Sequence, residues 1–248
     1  MTRLSGQQVI VAAHIISPDA KFTDNGSSSS DYGTGAPATL TGGNSSTGDP
    51  AFVPNFYYSA ELPNEIYVGV GVNVPYGLST EYDDGWIGRY NALKSEISTI
   101  NINPSIAWKA TDKISVGFGI SVQYMDIELT SNIDSYNACI GIVAAGAAQG
   151  GDPDPSGTAV TNCNAVGLSG PSDASKDSSG KLTGDSTEYG WNTGILIDLD
   201  DKSRIGIEYS SAIKHNVTGN ADNTLYLVLA PVAAGSSLAI GFNILQDT

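Results

Sequence analysis

Side chains with obvious chemical reactivity are sparse in this chain of 248 residues. Its two histidines, His14 and His215, lie far apart in sequence and indicate neither a metal site nor a general base. Asp152 and Asp154 could offer oxygen ligands to Ca²⁺, but the other ligands of a calcium loop are missing, and a solvated acidic loop explains them better. Nothing resembles an activated nucleophile or a catalytic triad. We therefore expect no enzyme, no metal and no cofactor.

The two cysteines, Cys139 and Cys163, lie in one long polar segment. An even number of cysteines in an exported loop favours a disulfide, which restricts the open loop. The alternative is a pair of free thiols in a cytosolic protein. The apolar stretch 140–148 between them either lines a ligand groove or simply packs within its own loop.

Composition excludes several classes of protein. The chain carries a formal charge of −15 and has a pI near 4.2, so it lacks the basic face that binds nucleic acid. No run of 18 or more apolar residues could form a transmembrane helix. The N-terminus shows no secretory signal, so we expect either a cytosolic protein or an internal piece of an exported one.

Alternation of apolar and small or polar residues is the dominant pattern, and it predicts β-strands with one apolar face. Past Tyr124 the apolar phase shifts to Ile127 and Leu129, which indicates a bulge or the end of the buried band. One such apolar row is Ile100, Ile102, Ile106 and Trp108, set against Asn101, Asn103, Ser105 and Ala107. We predict a single domain over 1–248 with strands at about residues 7–17, 52–62, 65–77, 97–110, 113–129, 188–199, 203–217 and 224–245.

Short turns alternate with long polar segments, predicted as loops at 18–50, 79–96 and 130–187. Strands joined in this way are typical of an antiparallel transmembrane β-barrel with long extracellular loops. A soluble β-sandwich also alternates, but its second face would carry Lys, Glu and Thr. Here that face carries Gly, Ser and Asn, which favours the barrel.

Several runs resemble the FadL/TodX family of outer-membrane transporters for long-chain fatty acids and other hydrophobic compounds. The matching runs are Val74-Pro75-Tyr76-Gly77-Leu78-Ser79-Thr80-Glu81-Tyr82, Trp86-Ile87-Gly88-Arg89-Tyr90-Asn91-Ala92 and Ile100-Asn101-Ile102-Asn103-Pro104-Ser105-Ile106-Ala107. The resemblance implies seven or eight strands of a barrel of about fourteen, in the outer membrane of a Gram-negative bacterium. It also implies a fragment without the family's N-terminal hatch and last strands.

The same resemblance places a lateral exit for ligand on the third strand, which carries Gly69, Gly71 and Pro75. Proline cannot donate to a ladder and glycine weakens one, so a local break in pairing is physically reasonable. The alternative is that the two glycines only fill a crowded interior.

Two sets of residues are candidates for contact with ligand. The loop 81–95 holds an apolar set at near-helical spacing, predicting a short amphipathic helix: Tyr82, Trp86, Ile87, Tyr90 and Leu93. These residues could instead pack against neighbouring loops, and Arg89 could meet a ligand carboxylate or pair with a neighbouring aspartate. Alternation predicts a second set along the lumen: Tyr67, Asn73, Asn101, Asn103, Gln123 and Met125.

The leading hypothesis is passive transport of hydrophobic small molecules across the outer membrane by a protein that is monomeric when complete. Its partners would be a hydrophobic ligand, either a long-chain fatty acid or an aromatic hydrocarbon, and outer-membrane lipid, with no nucleic acid. The other hypothesis is a non-transporting surface barrel of the adhesin type, whose extracellular loops bind partners.

Overall fold

The computed structural model describes residues 1–48, 50–200, 202–224 and 226. The described chain forms two compact units. The first unit comprises Met1–Asn25, Gly42–Asn132 and Ser179–Thr224, and the second comprises Gly26–Thr41 and Ile133–Ser178. This division differs from the single domain expected from the sequence.

Strands make up most of the first unit, and two short strands lie in the second. In chain order they are β1 (Gln7–Ile16), β2 (Ala20–Phe22), β3 (Ser28–Ser30), β4 (Pro37–Thr39), β5 (Ser45–Thr47), β6 (Ala51–Leu62), β7 (Ile66–Asn73), β8 (Gly77–Glu81), β9 (Lys94–Lys109), β10 (Ile114–Ile133), β11 (Ser178–Asp198), β12 (Arg204–Ser210) and β13 (Thr218–Thr224). The main antiparallel sheet runs in the order β1-β6-β7-β9-β10-β11-β12, with β8 paired to β9 and β13 paired to β11. Two small hairpin-like pairs, β2–β5 and β3–β4, lie in the segment expected to be a loop.

The main sheet has an apolar face that no other described element covers. Along β9, Ile102, Ile106 and Trp108 are 45%, 49% and 50% exposed, and the outward residues of β10 are similar. The opposite face carries the buried residues Thr99, Ala107, Ser115 and Gln123. We call the first the outer face and the second the inner face. A β-sandwich would have covered the outer face with a second sheet.

Short turns join the strands at one end of this sheet. A 3-10 turn, Pro63–Glu65, connects β6 to β7, and Asn64 there has φ of 64°, a region that asparagine tolerates better than most residues. Thr111 N–H donates to the Ile114 carbonyl between β9 and β10. Leu199 N–H donates to the Ser203 carbonyl between β11 and β12. These turns lie where the sequence places short connections.

Several strands differ from the predicted bounds. β11 begins at Ser178, ten residues before the predicted start at 188, because its first half is polar on both faces and lacks the apolar row that marks a strand. The third predicted strand is divided into β7 and β8, and the predicted strand 203–217 is regular only over β12. The predicted strand 224–245 lies outside the described residues, apart from its first residue and Tyr226.

The second unit contains two helices, α1 (Ser135–Gln149) and α2 (Pro155–Ala165), in the segment expected to be a loop. Each begins at an aspartate that caps it: Asp134 accepts from Asn137 N–H, and Asp154 accepts from Gly157 N–H. Their core is formed by Tyr136, Ile140, Ala159, Cys163 and Leu168. Neither of the two described helices has the length and hydropathy needed to cross a bilayer.

A disulfide joins α1 to α2. Cys139 and Cys163, 24 positions apart in sequence, are bonded with a Cα–Cα distance of 6.1 Å. Ile140 is buried beside this bond, so this residue of the apolar stretch packs within the unit rather than lining a groove.

Candidate functional site

The apolar side chains of β9 and β10 change face at a defined level of the sheet. Tyr124 pairs with Ile100 on the outer face, and three residues further along Ile127 pairs with Ile97. The register between the two strands is constant across this stretch, so no bulge separates them. Because successive residues point to opposite faces, Ile97 and Ile127 lie on the inner face. The phase shift seen in the sequence is therefore the end of the outer apolar band.

Beyond that level the inner face is apolar. Leu78 of β8 pairs directly with Ile97, which pairs with Ile127, so the three side chains form one row across β8, β9 and β10. Leu129 follows two residues later on the same face. Leu78, Ile97 and Leu129 are exposed. We call these four residues the inner apolar patch.

The outer face at the same level is charged. Lys94 Nζ lies 2.6 Å from Glu96 Oε2 and 3.2 Å from Glu128 Oε1, and Lys181 Nζ lies 2.7 Å from Glu128 Oε2. Ion pairs of this kind suit water or lipid headgroups and not hydrocarbon. The sheet is thus apolar outside and polar inside along one stretch, and apolar inside and charged outside along the next.

A row of amides lies next to the inner apolar patch. Asn73, Asn101 and Gln123 pair directly across β7, β9 and β10, and Asn101 Nδ2 donates to Asn73 Oδ1 at 3.3 Å. His215 Nε2 lies 2.8 Å from Gln123 Oε1, and its Nδ1 lies 3.3 Å from Ser186 Oγ. We call these five residues the amide row.

The inner face stays polar on the side of the row that leads to the short turns. Asn103 Nδ2 donates to Ser121 Oγ at 3.1 Å and to Asn192 Oδ1 at 2.9 Å. Tyr67, near the short turns, is buried and lies 3.5 Å from Glu61 Oε1, while Met125 is half-buried and pairs with Thr99. All six residues predicted to line the lumen thus lie on the inner face.

A gap in the ladder lies beside β8. β6 pairs with β7 as far as Phe56 and Val72. Its first residues, 51–55, pair with no described strand other than β1. Among the described strands, β8 pairs only with β9. The residues Val74, Pro75 and Tyr76 lie between β7 and β8 and belong to neither strand. The first half of β6 and β8 are therefore not hydrogen-bonded to each other as neighbouring strands.

Opposite the break, Thr99 of β9 holds Tyr76 through its side chain as well as through its backbone N–H, which donates to the Tyr76 carbonyl at 3.1 Å. The Thr99 hydroxyl accepts from Tyr76 N–H at 2.9 Å and donates to the Tyr76 carbonyl at 2.7 Å. The side chain is fully buried. These two bonds attach Tyr76 to β9 directly after Pro75, which has no backbone N–H to donate to a ladder.

The break falls at Pro75 and not at the two glycines. Gly69 and Gly71 pair with β6 on one side and β9 on the other, so the expected loss of pairing is absent at both positions. A Cβ on Gly69 would lie 2.8 Å from the Tyr58 carbonyl oxygen, and one on Gly71 would lie 3.2 Å from the Tyr57 ring. The glycines permit close approach, which is the alternative that the sequence left open.

The loop between β8 and β9 contains no helix, contrary to the expected amphipathic one. Trp86 stacks on Tyr82 with ring centroids 4.2 Å apart and meets the edge of Phe22 at 5.2 Å. Its Nε1 donates to the Ala92 carbonyl at 2.9 Å. Trp86 is only 7% exposed and Ile87 is also buried, so neither presents its side chain to a ligand.

Arg89 is fully buried in the same loop and is therefore not available to a ligand carboxylate. Its Nη2 donates to Tyr90 Oη at 2.7 Å, and the guanidinium carbon lies 4.4 Å from the centroid of the Tyr90 ring. Tyr82, Tyr90 and Leu93 remain half-buried. The loop is thus held together mainly by its own side chains.

Residues 1–242 match the family described as outer membrane protein transport protein (OMPP1/FadL/TodX). The chain belongs to the FadL/TodX family. Outer membrane protein P1 of Haemophilus influenzae is 30% identical over 171 residues, covering 68% of this chain and 35% of that protein. The long-chain fatty acid transport protein of Escherichia coli K12 is 26% identical over 198 residues, covering 77% of this chain and 43% of that protein. The chain therefore spans less than half of the length of these relatives.

The fold agrees with that of the FadL/TodX family. The crystal structure of a Pseudomonas aeruginosa FadL homologue superposes with a TM-score of 0.63 at 20% identity, covering 88% of this chain and 48% of that chain. The predicted fold class, an antiparallel all-β barrel present in part, is confirmed by this likeness. Membership places the protein in the outer membrane.

Several residues of this site carry little or no signal in the sequence. Leu78 and Ile97 were not singled out, and Ile127 and Leu129 were noted only for the phase shift, although the shifts in β9 and β10 could have been matched. Thr99 carries no sequence signal, because its role depends on Tyr76 lying opposite it. His215 follows β12 in a stretch without regular structure, so alternation could not assign its face.

Proposed function

We propose that the complete protein carries hydrophobic small molecules passively across the outer membrane. The observation that supports this best is the change of face along β9 and β10, which creates an exposed apolar surface on the inner face beyond the outer apolar band. An exposed apolar patch rimmed by polar residues is typical of a ligand-binding surface. Family membership favours transport over the adhesin alternative.

Capture occurs on the inner apolar patch. Removing apolar area from water contributes roughly 25 cal/mol per Å², so an alkyl chain or aromatic ring gains affinity there without any charged partner. The half-buried side chains of Tyr82, Tyr90 and Leu93 are further candidates for contact at the loop. Trp86 and Ile87 then act as the packed interior of that loop.

Release occurs sideways through the gap between β6 and β8. The gap begins at Asn73, which pairs with Asn101 beside the inner apolar patch, so a ligand that leaves the patch has a short path to the lipid. A ligand taking this route stays in an apolar environment. Pro75 is the residue on the third strand that we assign to the exit, while Gly69 and Gly71 support it only by close packing.

The ligand class is a long-chain fatty acid or an aromatic hydrocarbon. The Escherichia coli relative is named a long-chain fatty acid transport protein, which supports the first. No bond is made or broken in the proposed cycle, and no cofactor takes part. We propose that the complete protein works as a monomer in contact with outer-membrane lipid.

A disulfide across the gap tests the exit. Extending the register by one residue brings Asn55 opposite Asn73, so N55C/N73C should staple β6 to β7 at the margin of the gap. The matched control is A107C/G117C, which staples two strands that are already paired. A Cβ on Gly117 would lie 3.8 Å from that of Ala107, a spacing suited to a disulfide.

The readout is uptake of labelled oleate and labelled toluene by cells that carry the complete gene. We expect oxidised N55C/N73C to lose uptake and to regain it on reduction, while A107C/G117C behaves as wild type in both states. Normal uptake by fully oxidised N55C/N73C would exclude the gap as the exit. Absence of uptake by the wild-type protein for both compounds would exclude the proposed function itself.

A further inference from the structure

The amide row lies at the level where the inner face changes from apolar to polar. On one side of it are Ile97 and Ile127, and on the other are Asn103 and Asn192. Only the pair Thr99 and Met125 separates the row from the inner apolar patch. The row crosses β7, β9 and β10 and continues through His215 to Ser186 of β11.

The members of the row are largely saturated by one another. Gln123 is buried and bonded to His215, and Asn101 is bonded to Asn73. Asn101 Oδ1 is buried and has no hydrogen-bond partner in the described part of the chain. Asn73, Asn101 and His215 are half-buried and keep part of their surface exposed. A hydrocarbon lying over the row would take water from these exposed polar groups without offering a donor or an acceptor in return.

We propose that the amide row is a polar barrier that stops a hydrophobic ligand at the level of Asn73 and so directs it into the gap beside β8. The inference rests on the proposed function and names the residues that determine the ligand's route. Asn73 is both the last residue of β7 and the end of the row, so barrier and opening meet at one residue. A ligand that moves from the inner apolar patch toward the short turns meets the amide row ahead of it and the gap beside β8 next to it.

The barrier makes a prediction about where a bound ligand can be found. A palmitate analogue carrying a diazirine at the end of its chain labels the residues that it touches, and mass spectrometry of the complete protein in lipid vesicles maps them. In the wild-type protein we expect labelling of Leu78, Ile97 and Ile127 to exceed that of Asn103 and Ser105 by at least about tenfold, since leaving one or two buried polar groups unsatisfied disfavours a position by that order.

The variant N101L/Q123L removes the two central amides and should let labelling spread to Asn103 and Ser105. The control S98L places an added leucine on the outer face near the same level and should keep the wild-type pattern. The variant N101D/Q123E makes the row more polar and should increase the ratio of labelling between its two sides. It provides a second test in case N101L/Q123L does not fold.

The outcomes separate the two proposals. Equal labelling on both sides of the row in the wild-type protein would overturn the barrier while leaving capture on the patch intact. An unchanged pattern in folded N101L/Q123L would also overturn it. Absence of labelling at Leu78, Ile97 and Ile127 would instead overturn the proposed site of capture, and with it this inference.

Discussion

Among single residues, Trp86 shows how packing decides a role that residue type leaves open. Its ring is enclosed by Tyr82 and Phe22, and its indole N–H is satisfied by Ala92. We expect W86A to lower the free energy of unfolding by about 3–5 kcal/mol, as for other buried aromatic truncations. Urea unfolding of the complete protein measures this, and W86F, which keeps a ring but not the N–H, should fall between.

The same variant distinguishes the two roles of Trp86 considered from the sequence. A structural role predicts that stability falls in W86A and that residual uptake follows the amount of folded protein. Unchanged stability with lost uptake would show that Trp86 contacts ligand directly.

Asp152, which lies outside the membrane-spanning strands, should make the stability of the folded state depend on pH. The Thr158 hydroxyl and the Asp154 amide donate to its carboxylate, and these bonds lower the pKa of Asp152 below its usual value. A group whose pKa is lowered by folding stabilises the folded state above its unfolded pKa. That contribution is lost only as the pH falls through the folded pKa, in the acidic range below the usual aspartate value.

The measurement is a carbon NMR titration of the Asp152 carboxyl. We expect its midpoint below that of an unstructured aspartate, and we expect T158V to move the midpoint up because the first of the two bonds is removed. A midpoint unaffected by T158V would contradict the assignment of the shift to the Thr158 hydroxyl.

Among the elements, the junction of β7 and β8 depends on one hydroxyl. Thr99 makes two bonds to Tyr76 where Pro75 prevents a regular ladder. T99V keeps the shape of the side chain but leaves the Tyr76 N–H without its partner, while the Tyr76 carbonyl keeps the backbone N–H of residue 99. We therefore expect a loss of about 1–3 kcal/mol in unfolding free energy. T99S keeps the hydroxyl and should lose less, and equal losses in the two variants would assign the effect to packing.

The paired helices α1 and α2 depend on their disulfide. In the chain-entropy account, a cross-link between residues 24 apart stabilises by about 3.5 kcal/mol. We expect C139S/C163S to increase hydrogen exchange of amides in α1 and α2 while those of β9 and β10 keep their protection. Mass spectrometry after proteolysis resolves the two regions, and a uniform increase over both would contradict a local role.

For the whole molecule, the central question is which face of the main sheet meets lipid. Ile207 on the outer face and Glu208 on the inner face are neighbours on β12, so they lie at nearly the same depth. We expect I207K to destabilise the complete protein in bilayers by up to about 2–4 kcal/mol, the cost of a lysine near the midplane, decreasing toward the interface. E208K should change stability much less, because an inner residue stays in contact with water.

Urea unfolding in vesicles of a single lipid provides this comparison. Equal effects of I207K and E208K would contradict the assignment of the two faces, and the transport proposal would fall with it. In detergent-free water the comparison has no meaning, since both faces would then be hydrated.

Alternation along the sequence determined which residues share a face, because side chains on a strand point to opposite sides at every step. It correctly grouped Asn73, Asn101, Asn103 and Gln123, and the long, regular rows indicated the fold class. The resemblance of residues near Val74 and Trp86 indicated the family, which the comparisons confirmed.

Only the tertiary structure decided how neighbouring strands meet. The sequence shows a phase shift after Tyr124 but not that Ile97, Ile127 and Leu78 are paired, since register depends on contacts between distant segments. It showed glycine and proline on the third strand but not that pairing stops around Pro75 and continues through Gly69 and Gly71. The sequence also suggested that Trp86 contacts a ligand. In the structure its ring packs against Phe22, which is distant in the sequence, so it is not available for that contact.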